Sequence, residues 1–389
     1  MMFNYIEEVN KNIKIEEGKN VIENILINIY FKEGISTKEL GRNMLLPIPI
    51  VAAIKKEFIK RKILIQDRGI RLTSEGKAFI EDELGFKNIN KNLYIKLLTE
   101  PWKDHKEIIE IREELNIIFK NRPQVDVTID QSKCSIDTAI KRAVLCIKNH
   151  TLIGKKILCI GDDDLVSIAI GFLLRKLYKT SIKYKTSITV MDIDKRIINY
   201  INNIAIEENL PIKCEYIDFR KELSKDFKKQ FDCFFTDPPY TLEGMNLFLS
   251  RGIEALNDES GLFIYLSYAH KSPDFELDMQ KNFLKMGLVV SEIITRFNTY
   301  EGAEIIGNIG QMIILKTTNN SKALVGNSYE GAIYTGELRA TARLYKCKKC
   351  GEMLKVGSLE KFRTIEELKL KRCSKCNSQV FELIDKRSI

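Results

Sequence analysis

One short stretch, Lys155 to Leu165, constrains the fold more than any other part of the sequence. It reads K-K-I-L-C-I-G-D-D-D-L, an apolar run followed by a glycine and three consecutive aspartates. A buried strand, a tight glycine turn and a helix form the first βα unit of a doubly wound α/β sheet, and such sheets bind ligands at the carboxyl ends of their strands. The sequence therefore predicts that the acidic run Asp162 to Asp164 meets the ligand.

A second stretch, Phe231 to Thr241, has a related pattern. It reads F-D-C-F-F-T-D-P-P-Y-T, an apolar strand that runs into an acid, two prolines and a tyrosine. The prolines end the strand pairing and stiffen the segment that follows it. We therefore expect Asp237 and Tyr240 to lie at the same sheet edge as the three aspartates.

The chain between these stretches and beyond them alternates strands with helices. Strands are expected near residues 156–160, 187–191, 212–217, 231–236, 261–267, 288–296 and 310–317. Such alternation predicts a mostly parallel sheet covered on both faces, whose last strand can run antiparallel. The predicted fold is a seven-stranded, Rossmann-like α/β domain that binds a nucleoside.

Acids also follow the second and third predicted strands. Asp192 is placed to accept hydrogen bonds from both hydroxyl groups of a ribose, and Asp218 to accept from an adenine amino group. Asp194 is expected to cap the helix that begins at Lys195. Each acid alone is more often a helix cap or a solvated loop residue, but acids at four strand ends of one sheet favour a binding site. No G-x-G-x-x-G motif is present, which disfavours an NAD enzyme.

The first 90 residues have the pattern of a winged helix-turn-helix. A helix is expected near residues 20–31, a second begins at the capping box of Ser36, and a basic third helix spans 50–62 before a hairpin over 63–72. DNA binding is one interpretation. Packing against the catalytic domain or a second subunit is favoured over it, because the lysines also fit an ordinary helix exterior. Residues 91–150 are predicted to form a helical connector. Its loop residues Asp130 and Gln131 could reach the site, but on spacing alone such residues are more often loop caps.

Four cysteines near the end of the chain form two C-x-x-C pairs, Cys347 with Cys350 and Cys373 with Cys376. Two such pairs are typical of a zinc ribbon with tetrahedral Zn²⁺, and four thiolate ligands make the metal structural rather than catalytic. The ribbon is expected over residues 341–389, after an α/β domain over residues 151–340. Solvation is the favoured explanation of its basic surroundings, ahead of nucleic-acid contact.

Charge, apolar runs and the N-terminal pattern limit the expected partners and location of the protein. The 389 residues carry 62 basic and 53 acidic side chains, a net charge of +9, which is compatible with an acidic partner but also with simple solubility. No apolar run approaches the ~20 residues of a membrane span, and the N-terminus lacks a signal-peptide pattern. A cytoplasmic protein without a membrane partner is expected.

The predicted sheet and the D-P-P-Y edge resemble the S-adenosylmethionine-dependent fold of methyltransferases and aminopropyltransferases. D-P-P-Y also occurs in amino-methyltransferases that act on DNA, so a DNA or RNA amino-methyltransferase is the alternative function. The three aspartates argue against it, because each would repel the carboxylate of S-adenosylmethionine by roughly 4 kcal/mol at 4 Å and an effective dielectric of 20. Decarboxylated S-adenosylmethionine lacks this carboxylate and carries a cationic arm that suits an acidic pocket.

The resemblance to one family is closer. I-G-D-D-D-L and F-T-D-P-P-Y-T, with L-F-L-S-R-G-I-E-A-L (247–256), F-N-T-Y-E-G-A-E-I-I-G-N (297–308) and Y-T-G-E (334–337), are similar to the branched-chain polyamine synthases. This resemblance implies transfer of aminopropyl groups from decarboxylated S-adenosylmethionine to the central amine of spermidine. The products implied are N4-aminopropylspermidine, then N4-bis(aminopropyl)spermidine, and 5'-methylthioadenosine.

With this reaction, the acids acquire expected roles. Asp162 or Asp164 is expected to take the proton of the attacking amine, Asp237 to orient that amine, and Tyr240 to offer a cation–π face. Gly161 and Asp163, with Asp192 and Asp218, are expected to bind the donor. Tyr300, Glu301 and Glu304 are expected to hold the outer ammonium groups of spermidine from a loop. A homodimer is the expected assembly, and a polyamine or nucleoside sensor that binds DNA is the least favoured function.

Overall fold

The computed structural model describes residues 5–178, 184–301, 307–338, 341–357, 360–362 and 364–388. The chain begins with four helices and a hairpin, of which the last three helices and the hairpin are those of the predicted winged-helix pattern and the first was not predicted. These elements are α1 (Tyr5–Ile13), α2 (Lys19–Phe31), α3 (Thr37–Met44), α4 (Ile48–Lys60), β1 (Leu64–Gln66) and β2 (Ile70–Leu72). Ser36 caps α3 by accepting a hydrogen bond from the Glu39 amide. Helix α4 begins two residues before the predicted start, because Pro49 fits the first turn of a helix.

A mainly helical connector follows the hairpin. It contains α5 (Ser74–Ala78), a π-helical turn over Phe79–Glu83, α6 (Lys91–Thr99), α7 (Lys106–Asn121), the short strand β3 (Lys133–Cys134) and α8 (Ile136–Lys148). Helix α8 is buried along most of its length and lies against the helix that follows the acidic run. The connector is therefore part of the scaffold of the sheet.

All seven predicted strands are present in one sheet. They are β4 (Lys156–Ile160), β5 (Ser187–Asp192), β6 (Ile212–Tyr216), β7 (Cys233–Thr236), β8 (Phe263–Ala269), β9 (Leu288–Glu301) and β10 (Ile309–Thr317). The strand order is β3-β9-β10-β8-β7-β4-β5-β6, so β3 is an eighth strand that the sequence did not predict. Strands β6, β5, β4, β7 and β8 are parallel neighbours, and β10 is antiparallel to both β8 and β9.

Helices cover both faces of this sheet. They are α9 (Val166–Leu177), α10 (Lys195–Glu207), α11 (Leu242–Ala255) and α12 (Pro273–Lys285), followed by the short α13 (Thr335–Leu338). Alternate side chains of β4 enter two cores: Ile157 and Cys159 pack in one, Leu158 and Ile160 in the other. The first core continues into the N-terminal helices, where Ile22 and Phe58 belong to it. The winged helix and the α/β domain thus share buried apolar contacts.

The C-terminal residues form a small separate sheet with the order β12-β11-β13. Its elements are β11 (Thr341–Cys347), β12 (Met353–Val356), α14 (Ile365–Lys371) and β13 (Phe381–Ser388). Among the described residues of this unit, the buried apolar cluster consists of Tyr345, Val356, Phe362 and Leu368. Across the described ranges, no helix has the length and apolar character that crossing a membrane requires.

Candidate active site

A cleft opens where the central parallel strands end. The space between its walls, part of which is open to solvent, is about 520 Å³. Its lining includes Gly161 and Asp163 after β4, Asp192 at the end of β5, Asp218 after β6 and Asp237 after β7. The acids that the sequence predicted at four strand ends are therefore brought together around one space.

The three aspartates of the acidic run point in different directions. The Asp162 carboxylate accepts hydrogen bonds from the amides of Val166 at 2.7 Å and Ser167 at 3.1 Å, which secures the first turn of α9. The Asp164 carboxylate accepts from the Cys134 amide at 2.7 Å. Both side chains are buried and do not line the cleft. The geometry therefore argues against the predicted role of Asp162 or Asp164 as the base, because neither carboxylate is free to meet a substrate.

Asp163 is the member of the run that faces the cleft. Its carboxylate accepts one hydrogen bond, from the Ser132 amide at 2.9 Å. Burial raises the pKa of Asp163 well above its usual range, and the charges of Asp164, Asp192 and Asp237 add to this effect. A carboxyl group with a raised pKa that opens onto a ligand cleft is typical of a proton-transfer group.

Arg142, on α8, is a site residue that sequence reasoning missed. Its guanidinium is buried and donates to Asp164 at 2.8 Å, to Asp237 at 2.9 Å, to the Tyr300 hydroxyl at 3.1 Å and to Asn298 at 3.0 Å. A signal was present, because Arg142 lies on the apolar face of α8, beside Ala139 and Cys146 at helical spacing. A buried arginine normally has carboxylate partners.

Asp237 is the acid that this arginine orients toward the cleft. Its carboxylate also accepts hydrogen bonds from the hydroxyls of Tyr300 at 2.6 Å and Tyr240 at 3.1 Å. Burial raises the pKa of Asp237 to about 7, although the Arg142 charge and the Tyr300 hydrogen bond act in the opposite direction. Asp237 is thus held rigidly and changes its charge near neutral pH.

The predicted acceptor loop is mostly strand. Tyr300 and Glu301 are the last residues of β9, where they pair with Cys134 and Lys133 of β3. The Tyr300 ring is buried with its hydroxyl on Asp237, whereas Glu301 is largely exposed and pairs with Arg122 at 3.4 Å. Glu304 lies outside the described residues. The strand continues beyond the predicted end because β3 gives its last residues a partner.

The predicted donor-binding acids lie on the other side of the cleft. Asp192 accepts hydrogen bonds from the amides of Asp162 at 3.0 Å and Asp194 at 2.7 Å, and burial raises its pKa to about 6. Asp218 accepts from the Arg220 amide at 3.0 Å. Asp194 accepts from the Arg196 amide, which is the helix cap that the sequence predicted.

Two loops close the cleft on the side of the predicted donor-binding acids. Asp130 and Gln131 line the cleft, and Asp130 accepts a hydrogen bond from the Thr335 amide at 2.7 Å. Arg220 lies over the Tyr334 ring, 5.0 Å from its centroid, and pairs with Glu337 at 2.6 Å. The Y-T-G-E motif therefore forms part of the cleft wall.

The four clustered cysteines meet the requirements of a metal site. Their sulfur atoms all lie within 4.8 Å of one another, and two pairs are 3.5 Å apart. Tetrahedral Zn²⁺ with Zn–S bonds of about 2.3 Å places its sulfurs about 3.8 Å apart. Cys347, Cys350, Cys373 and Cys376 therefore fit a structural zinc ion with no position open to substrate.

Comparison with known proteins places these features in a family. Residues 110–357 match the family model described as the branched-chain polyamine synthase A C-terminal domain. An uncharacterized protein of Methanocaldococcus jannaschii is 38% identical, over 99% of this chain and 93% of its own. The N(4)-bis(aminopropyl)spermidine synthase of the same organism is 30% identical, over 76% of this chain and 81% of its own.

A solved structure supports the same fold. The branched-chain polyamine synthase from Thermus thermophilus, in complex with N4-aminopropylspermidine and 5'-methylthioadenosine, superposes with a TM-score of 0.51. It is 22% identical in sequence, and the match covers 84% of this chain and 95% of that chain.

Proposed function

Because this chain belongs to the branched-chain polyamine synthase family, we propose that it transfers aminopropyl groups from decarboxylated S-adenosylmethionine to the central amine of spermidine. The products are N4-aminopropylspermidine, then N4-bis(aminopropyl)spermidine, with 5'-methylthioadenosine released at each transfer. The observation that carries this proposal is the convergence of Asp163, Asp192, Asp218 and Asp237 on one cleft. Such a cleft attracts a cationic donor and a cationic acceptor.

The chemistry needs few groups from the protein. The lone pair of the acceptor nitrogen attacks the methylene carbon next to the sulfonium, the carbon–sulfur bond breaks, and its electron pair leaves on sulfur as a neutral thioether. The leaving group therefore needs no acid. The first transfer needs a neutral nitrogen and a group that accepts the proton which the new ammonium releases.

We assign the proton-accepting role to Asp163. It lies in the cleft lining, accepts one amide hydrogen bond, and has a raised pKa. Asp237, which Arg142 and Tyr300 hold in place, orients the acceptor nitrogen for attack. Asp162 and Asp164 support the site instead, by holding the start of α9 and the Arg142 guanidinium.

Asp192 and Asp218 are assigned to the donor. Asp192 ends β5, the second parallel strand in sequence, where folds of this type bind ribose hydroxyls. Asp218 follows β6, the third parallel strand in sequence, and is assigned to the adenine amino group. The Arg220 and Tyr334 pair closes the cleft beside Asp218.

The range of acceptors decides how many aminopropyl transfers this chain performs. The chain is similar over nearly its whole length to one Methanocaldococcus jannaschii protein, and over less of it to a synthase from the same organism. The two acceptors differ in the reacting nitrogen, which is secondary in spermidine and tertiary in N4-aminopropylspermidine. Spermidine and N4-aminopropylspermidine should therefore be offered separately.

The decisive experiment compares the two donors on the purified protein. We expect calorimetry to show tighter binding of decarboxylated S-adenosylmethionine than of S-adenosylmethionine. Mass spectrometry with spermidine should then show products heavier by one and two aminopropyl groups. Tighter binding of the carboxylated donor, with methyl transfer to DNA or RNA, would instead support the amino-methyltransferase alternative.

A further inference from the structure

Three aromatic rings beside the D-P-P-Y segment surround a single ammonium group. The Lys271 Nζ atom lies 5.6 Å from the Tyr240 ring centroid, 5.7 Å from that of Tyr268 and 5.1 Å from that of Phe275. It also donates a hydrogen bond to the Tyr240 carbonyl at 3.0 Å. Rings arranged in this way attract any alkylammonium group, because their faces carry negative partial charge. We call Tyr240, Tyr268 and Phe275 the aromatic cage.

The aromatic cage adjoins the reaction site. Tyr240 turns its ring to Lys271 while its hydroxyl donates to Asp237 at 3.1 Å. Asp130 lines the cleft and lies close enough to Lys271 that the lysine charge opposes the rise in the Asp130 pKa that burial causes. A polyamine whose reacting nitrogen is at Asp237 has its next nitrogen one aminopropyl or aminobutyl arm away, and Tyr240 contacts Asp237 through its hydroxyl and Lys271 through its ring.

We propose that the aromatic cage is the subsite for a second ammonium group of the polyamine acceptor, and that Lys271 occupies it until the acceptor displaces it. This inference rests on the proposed function. Lys271 comes from the half-exposed segment between β8 and α12, so its displacement breaks its own contacts, including the hydrogen bond to the Tyr240 carbonyl, but no strand pairing. The lysine then acts as an internal competitor that weakens acceptor binding.

Removal of the competitor tests the inference. Lys271→Ala should lower the KM for spermidine by about 2- to 30-fold, the range expected for a freed cation–π site, and leave kcat within about twofold. Tetramethylammonium chloride should inhibit the variant competitively against spermidine and inhibit the wild type more weakly. Adding Phe275→Leu to the variant should reverse both changes, because one wall of the cage is lost.

Lys316 provides the matched control. Its ammonium lies 4.7 Å from the Phe263 ring centroid at the first residue of β8. Because Lys271 follows the last residue of that strand, Lys316 lies at the opposite end of β8, and Lys316→Ala should leave the KM for spermidine unchanged. The inference is overturned if Lys271→Ala leaves the KM unchanged or raises it, or if tetramethylammonium inhibits both proteins equally.

Different results would contradict the proposed subsite and the proposed function. If the wild type releases 5'-methylthioadenosine with spermidine and Lys271→Ala has no effect on KM, the subsite is wrong and the proposed function stands. If the wild type has no activity with spermidine, calorimetric titration of tetramethylammonium into Lys271→Ala and wild type still tests the cage. Tighter binding to the variant would then support it.

Discussion

At the scale of single residues, the site depends on how one arginine is shared between two acids. Arg142 donates to both Asp164 and Asp237, so one positive charge stabilises two buried carboxylates. Asp163 has no such partner among the described residues and accepts only from the Ser132 amide. The ionised form of Asp163 therefore depends on a cationic substrate for its stabilisation, rather than on Arg142.

Replacement of Asp163 tests whether this residue accepts the proton or only stabilises the structure of the site. Asp163→Asn should lower kcat for the first transfer to spermidine by about 10²- to 10⁴-fold, the usual contribution of a general base. The loss should be smaller with N4-aminopropylspermidine, because its tertiary nitrogen has no proton to release after attack. Product formation from each acceptor, measured by mass spectrometry, gives the two rates.

Asp162→Asn is the matched control for that measurement. Its carboxylate holds the first turn of α9, so the variant should lose about 1 kcal/mol of stability and keep most of its turnover. The opposite result, with turnover lost in Asp162→Asn and kept in Asp163→Asn, would mean that Asp162 is the base, as the sequence predicted.

A pH profile tests the role of Tyr300. Asp237, whose pKa is raised to about 7, must be ionised to orient the amine, so activity should fall as the pH drops below about 7. The Tyr300 hydroxyl favours the ionised form, and Tyr300→Phe should therefore raise this pKa and move the fall in activity to higher pH. The measurement is kcat against pH with spermidine.

A second buried tyrosine controls for packing. Tyr265 bonds to Thr151 through its hydroxyl and does not line the cleft, so Tyr265→Phe should leave the profile unchanged. Equal shifts in both variants, or none in Tyr300→Phe, would remove Tyr300 from the site.

At the scale of elements, the sheet was predictable and the directions of its side chains were not. Apolar runs bounded by glycine or acids located all seven strands, because burial on both faces gives parallel strands a continuous apolar pattern. The two-residue β3 has no such signal, since it forms only where β9 offers it a partner. Because β3 pairs with the last residues of β9, that strand extends to Glu301 and the Tyr300 ring lies in the core.

In the acidic run, the sequence did not predict the direction of each side chain. The sequence predicted that Asp162 to Asp164 meet the ligand, yet the turn at Gly161 sends one carboxylate to the amides of α9, one to the cleft and one to Arg142. Which residue takes which direction depends on backbone angles and on α8, which is distant in sequence. The metal cluster was easier to predict, because close cysteine spacing itself dictates the ligand set.

The ribbon provides a prediction at this scale. Its core is small, so metal binding should supply much of its folding free energy. Cys373→Ser should release zinc, make residues 341–388 sensitive to protease and leave aminopropyl transfer largely intact. Metal content by elemental analysis, limited proteolysis and turnover should be measured on the same sample.

Cys214→Ser is the control for this change, because Cys214 is half-buried on β6, outside the cluster. It should retain one zinc ion per chain. Complete loss of activity in Cys373→Ser, with the α/β domain still folded, would mean that the ribbon takes part in the reaction.

At the scale of the whole molecule, the N-terminal module is joined to the α/β domain by buried contacts. Helix α2 contributes Ile22 to the same core as β4, and Lys19 of α2 pairs with Glu259 of the α/β domain. In the basic helix region, Lys60 and Arg61 pair with Glu57. These contacts favour the packing role over DNA recognition, and gel shifts at varied salt would reveal a nucleic-acid contact that they do not require.

One ion pair across this junction tests whether the two modules unfold together. Lys155, at the start of the central strand, pairs with Glu23 of α2 at 2.7 Å, and each side chain is only 12% exposed. Burial acts to lower the pKa of Lys155, and the charges of Glu23 and Asp232 more than offset it. Glu23→Gln leaves this buried cation short of a partner, which should cost about 3 kcal/mol.

Calorimetric unfolding of Glu23→Gln should therefore show a lower midpoint for one transition that includes both modules. The exposed pair of Lys32 with Glu39 is the reference, and Lys32→Gln should change stability by less than about 1 kcal/mol. If Glu23→Gln instead produces a separate early transition that spares the α/β domain, the modules are independent. The winged helix would then be free to move relative to the cleft, and DNA binding would regain its place as an explanation of its basic helix.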